Sequence, residues 1–194
     1  MHHSRPRRRL AIAMRAAVFT AFAVALLYAP TASAATPADA EAMVVGWINN
    51  DRMDRGLAPL RTDGDLAAIA GLRASRMASA NVMSHTVGGD LAAQLDWYSV
   101  AWYRYGETIG WSTAGFPVDS AKAIYRAWMG SSPHRALLLS DQLNYIGVGL
   151  GYRSSNNRTY GSAVLTESPD HTRCSLSQPR ERMFQALRPG PTRV

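Results

Sequence analysis

The chain has 194 residues and carries 21 basic against 14 acidic side chains, a formal net charge of +7. Residues 1–34 hold 5 of the basic residues and none of the acidic ones, so the other 160 residues carry 16 against 14, a net +2. That near-neutral balance argues against a nucleic-acid partner, and a single cysteine, Cys174, excludes an internal disulfide framework.

The N-terminal segment has the order of a secretory signal. Arg5, Arg7, Arg8, Arg9 and Arg15 make a basic region, Ala16 to Ala29 is apolar apart from Thr20 and Tyr28, and Ala32-Ser33-Ala34 is a small-residue cleavage site. The apolar run falls short of the roughly 20 residues a membrane span needs. The expectation is therefore a signal peptide over 1–34, with export by the general route or, given Arg7-Arg8-Arg9-Leu10, the twin-arginine route. No membrane span remains after cleavage, and the expected location is extracellular or at the cell envelope. An uncleaved N-terminal anchor is the alternative.

Residues 35–194 suffice for one domain with a core of its own. Thr36-Pro37-Ala38-Asp39 opens a helix: a capping hydroxyl, a proline at the first helical position and a carboxylate at the positive end of the dipole. Ala40, Met43, Val44, Trp47 and Ile48 then repeat at helical spacing as one buried face, Arg52 and Arg55 suit the last turn, and Gly56 and Pro59 end it. A second helix starts near Thr62 or Asp63 and ends near Asn81, with Leu66, Ile69, Ala70, Arg73 and Met77 on one side. Residues 82–104 resist assignment beyond a turn at Gly88-Gly89. Tyr105 to Ser112 reads as a strand and Pro117 to Met129 as a third helix burying Ala121, Ile124, Tyr125 and Trp128. Tyr145 to Tyr152 and Thr159 to Thr166 make an antiparallel hairpin turning at Ser154 to Asn157. The domain is expected over 35–174, and the arginine- and proline-rich segment 175–194 is expected to be a disordered tail.

Two histidines and a glutamate stand out as chemistry. His85 follows Met83-Ser84, Glu107 lies in Tyr105-Gly106-Glu107, and His134 lies in Ser131-Ser132-Pro133-His134-Arg135. Two imidazoles and a carboxylate bind a metal or move protons when a fold brings them together. Their spacing rules out a local helical motif, so any site is built by tertiary structure. Ser131 and Ser132 beside His134 read as a turn and helix cap in preference to a nucleophile, and Arg135 as a partner for a carboxylate or a helix C-terminus. Trp102, Tyr103, Tyr105, Trp111 and Trp128 read mostly as core, with an apolar ligand wall as the alternative. Cys174 with His171 is a fallback metal site.

The motifs also occur in a telling order: Asn49-x-x-Arg52-x-x-x-Gly56-Leu57-x-Pro59-Leu60, Met83-Ser84-His85, Tyr105-Gly106-Glu107, Trp128-Met129-x-Ser131-Ser132-Pro133-His134-Arg135 and Asn144-Tyr145-Ile146-Gly147-Val148-Gly149. The order resembles the CAP superfamily of cysteine-rich secretory proteins, antigen 5 and pathogenesis-related proteins, and its bacterial branch in particular. The resemblance implies an α+β fold, a three-layer α-β-α sandwich around a small antiparallel sheet. It also implies a cleft lined by two histidines and two glutamates, of which His85, Glu107 and His134 match and the fourth is replaced by Ser131. It implies a secreted, monomeric binding module whose cleft takes a small apolar, lipid-like or cell-envelope ligand. The chemistry of the three residues also permits Zn2+ or another divalent metal, held by His85 and His134 with a position left open for water. The alternatives are a metal-dependent or acid-base hydrolase using the same three residues, and a structural or interaction protein of the envelope.

Overall fold

The computed structural model describes residues 34–169. The first helix, α1 (Pro37–Met53), begins as its sequence dictates: Thr36 Oγ1 accepts from the Asp39 amide at 3.2 Å while the Asp39 carboxylate accepts from the Thr36 amide at 2.8 Å. Its buried face is Ala40, Val44, Val45, Ile48 and Arg52, so the helix is rotated from the expected stripe and Met43 is exposed. Arg52 does more than complement the helix end. It is 1% exposed and donates to the carbonyls of Ala58, Leu138, Ser140 and Leu143, pinning two loops to α1.

After a two-residue strand, β1 (Arg61–Thr62), comes α2 (Gly64–Ala80). Asp63 caps it by accepting from the amides of Asp65 and Leu66, and Asn81 ends it in the left-handed conformation, φ 55°. The unassigned stretch contains a short helix, α3 (Leu91–Trp97), capped by Asp90. Next come β2 (Arg104–Ser112), α4 (Val118–Gly130), α5 (Ser132–Leu138), β3 (Tyr145–Arg153) and β4 (Arg158–Glu167), with a 3-10 turn over Ser154–Asn156.

The sheet order is β1-β3-β4-β2. Strands β2, β4 and β3 are antiparallel, with Glu107 opposite Val164 and Gly147 opposite Val164, whereas β1 adds to β3 in parallel through Arg61–Tyr145 and Thr62–Ile146. Side-chain alternation divides the two layers of helices. On one face Gly147, Gly149 and Gly151 lie so close to α2 that an added Cβ would stand 2.1, 2.2 and 2.4 Å from its backbone. On the other face Leu137 of α5 covers Gly106, and Ile124 and Trp128 of α4 cover Gly110. One core cluster joins α1 and α4 to the sheet through Val44, Ile48, Ile124, Trp128, Ile146 and Leu165. A second joins α2 and α3 through Leu66, Ile69, Leu91, Leu95 and Val164. The architecture is the α-β-α sandwich expected, with one parallel pairing at its edge.

Candidate functional site

Four segments meet on the α2 face of the sheet. Glu107 projects from β2, Ser162 from β4, Arg73 from the buried stripe of α2, and His85 from the loop between α2 and α3. Arg73 forms a fork on the carboxylate, Nε to Oε1 at 2.6 Å and Nη2 to Oε2 at 2.8 Å. Its remaining donors bind the carbonyls of His85 at 2.6 Å and Gly89 at 2.9 Å and the side-chain oxygen of Gln94 at 3.0 Å. Gln94 and Arg76 both donate to the Gly88 carbonyl at 2.6 Å. A Cβ at Gly88 would stand 2.8 Å from the Arg73 guanidinium, so any larger residue there would force that side chain to shift. The loop is thus wrapped around one arginine.

Glu107 also accepts from Ser162 Oγ at 2.7 Å and pairs with His85 Nδ1 at 2.8 Å. Its side chain and that of Arg73 are 4% and 2% exposed, while that of His85 is 55% exposed. Burial works to raise the Glu107 pKa, but hydrogen bonds from Arg73, His85 and Ser162, with the Arg73 charge, outweigh it and hold the carboxyl below its ordinary value. The group is therefore an ionised acceptor. Above it lies an open cavity of about 520 Å³, lined by Arg73, His85, Thr86, Gly89, Asp90, Leu91, Tyr105 and Glu107.

The structure joins two of the three residues singled out in the sequence, His85 and Glu107. His134 lies on α5, whose Leu137 packs on the opposite face of the sheet from Glu107, and it does not line the cavity. Ser131 is the N-cap residue of α5, without a side-chain capping bond, and Arg135 donates to the Met129 carbonyl at the C-terminus of α4 at 2.8 Å. The aromatic residues depart from the expected core. Of the five, Trp128 is buried at 1%, Tyr103, Tyr105 and Trp111 are exposed, and Trp102 is half-buried, edge-on to Tyr105. The reason is strand alternation together with position: Trp111 sits near the hairpin end, where Arg158 stacks over it at 4.1 Å, and Tyr105 sits at the cavity wall. His171, Cys174 and the segment 175–194 lie outside the described residues.

A divalent metal does not fit this arrangement. The Glu107 oxygens are already engaged by four donors, a guanidinium fills the space beside them, and the second histidine is in another layer. Among the described residues no three His, Cys, Asp or Glu side chains are placed to hold a metal ion. Arg73, Gln94 and Ser162 do not stand out in the sequence as site residues. The one available signal is an arginine on the apolar stripe of α2, because a charge at such a position is buried only with a partner.

An α-β-α sandwich with a histidine–glutamate pair on the α2 face of its sheet defines the class. A sequence profile of the CAP, or cysteine-rich secretory protein, family matches residues 45–165, and the chain belongs to that family. No curated protein matches the chain significantly. Among solved structures it is similar to an outer surface protein of Borrelia burgdorferi, with 16% identity, a TM-score of 0.60, and coverage of 70% of this chain and 97% of that one. It is also similar to a cysteine-rich secretory protein of Staphylococcus aureus, with 25% identity, a TM-score of 0.51, and coverage of 67% and 39%. An extracellular protein containing an SCP domain from Bacillus anthracis gives 20% identity, a TM-score of 0.55, and coverage of 71% and 45%. The chain thus spans less than half of the latter two.

Proposed function

We propose that this CAP-domain protein is exported and binds a small ligand, apolar or lipid-like in body or a fragment of the cell envelope, in the cavity between α2, α3 and β2. The observation that carries the reading is the pairing of a ligand-sized cavity with an exposed imidazole on a rigid base. Leu91 and Tyr105 offer apolar walls, His85 offers a polar point, and the Arg73–Glu107 fork fixes that point in place. Export is supported by the leader pattern of residues 1–34 and by the extracellular and surface character of the structural relatives. Among the described residues no helix is long and apolar enough to cross a membrane.

The hydrolase reading rests on the same pair. Against it, no serine, threonine or cysteine among the described residues is hydrogen-bonded to the His85 ring. The test is mass spectrometry of small molecules extracted from the exported protein, beside a Thr86→Trp variant. Thr86 is an exposed residue of the cavity lining, so tryptophan fills the mouth without touching the core. A molecule held by the parent and absent from the variant is expected. Equal retention by both places the ligand elsewhere and sinks the reading.

A further inference from the structure

The polar centre of the cavity has its valences filled, with one exception. A guanidinium offers five N–H donors. Those of Arg73 meet the two oxygens of Glu107, the carbonyls of His85 and Gly89, and the side-chain oxygen of Gln94. A carboxylate offers about four lone-pair sites, and Glu107 accepts from Arg73 twice, from Ser162 and from His85. Neither group has capacity left for a ligand. Because an ionised carboxylate only accepts, the His85 nitrogen beside it, Nδ1, carries the proton. In the neutral ring Nε2 then holds an unshared pair, and this side chain is 55% exposed above a buried base.

We propose that Arg73 stands where a metal ion would, making a metal-independent site whose open valence is the lone pair of His85 Nε2, and that the site selects ligands presenting an uncharged hydroxyl over those presenting an anion. This rests on the ligand-binding reading above and narrows its ligand class. A hydroxyl donates to Nε2. A carboxylate cannot, and it would find every Arg73 donor taken and the Glu107 charge nearby. Arg73 is here a positioning residue: it touches no ligand, but it fixes the loop that carries His85 and the carboxylate that sets the tautomer.

The experiment uses the full exported protein with nitrogen-15 histidine labelling, at mildly alkaline pH, titrated with zinc chloride, dodecanol and dodecanoate. The expected result is an Nδ1-protonated His85 whose resonances do not move with equimolar zinc. Dodecanol should bind more tightly than dodecanoate, by about tenfold, the scale of one hydrogen bond gained against one refused. His85→Ala should collapse that preference. An Nε2-protonated tautomer, or His85 resonances shifted by zinc, overturns the guanidinium-locked site. Dodecanoate binding as well as dodecanol overturns the hydroxyl selection. Binding of neither, with the tautomer and zinc results as expected, overturns the ligand class and not the lock. Arg73→Lys supplies a second readout: its compact ammonium cannot reproduce the fork, and the fixed tautomer should be lost.

Discussion

At the scale of single residues, the Arg73–Glu107 pair behaves differently under removal of one partner than of both. Arg73→Met leaves a carboxylate that is 4% exposed without its countercharge. The expected loss is about 3–5 kcal/mol of folding stability, and a double variant that also replaces Glu107 with Leu should recover much of it. Denaturant unfolding of the three proteins checks this; additive losses would show that the two side chains are not coupled. The pH dependence has a definite sign. Glu107 is held below its ordinary value of 4.5, so the folded chain binds its proton less readily than the unfolded chain. Its stabilisation is complete above that value and is lost as pH falls through the folded pKa. Glu41 acts in the opposite sense. Burial raises its pKa, and the hydrogen bond it accepts from the Leu150 amide at 2.8 Å only partly offsets this. The folded chain holds that proton more tightly, so stability falls as pH rises from 4.5 through the raised value. Stability measured against pH should therefore lose part of its acid limb in Glu107→Gln, while Glu41→Gln should remove the opposing slope and keep an acceptor for Leu150.

At the scale of elements, what was legible in the sequence is what local chemistry decides. The cap at Thr36, the period of α2 and α4, and the turn between β3 and β4 are all local, and those elements stand where the pattern places them. Elements fixed by tertiary contact were not legible. Strand β1 is two residues long and exists because β3 pairs with it, and α3 buries only Leu91 and Leu95, too short a stripe to show a period. The same division governs the site. His85 and Glu107 were visible as residue types in motifs, whereas Arg73 was hidden in a helical stripe and His134 was grouped with them by motif and not by layer. Glycine gives a contrast that tests the packing. In Gly149→Ala the new Cβ would lie 2.2 Å from the Gly71 amide nitrogen, so α2 must move off the sheet, at about 1–3 kcal/mol or more. In Gly46→Ala the site on α1 is exposed with nothing within 4 Å, and replacing a mid-helix glycine should stabilise by about 0.5–1 kcal/mol. Thermal unfolding of the two variants should move in opposite directions; a neutral Gly149→Ala would mean that α2 and β3 are not in close contact.

At the scale of the whole molecule, the site draws on positions far apart in the chain: Glu107 meets Arg73 across 34 residues and Ser162 across 55. Such a site forms only when the sandwich closes, which ties the proposed ligand binding to the integrity of the domain and makes its boundary matter. The three core clusters lie between Ala40 and Leu165. Beyond them, among the described residues, stands a reciprocal pair: Asn144 Nδ2 donates to the Ser168 carbonyl at 2.7 Å, and the Ser168 amide donates to Asn144 Oδ1 at 2.9 Å. Ser168 is 3% exposed, and its hydroxyl reaches Thr166 Oγ1 at 2.8 Å. We propose that the functional boundary falls after this clasp, and the expected domain over 35–174 sets the test. A chain from Ala35 ending at Cys174 should melt with the chain from Ala35 to Val194. One ending at Thr166 removes the clasp, leaves Asn144 without partners for its amide and should lose about 1–3 kcal/mol. If ending at Cys174 already destabilises the protein, residues 175–194 complete the fold, and the boundary belongs further along the chain.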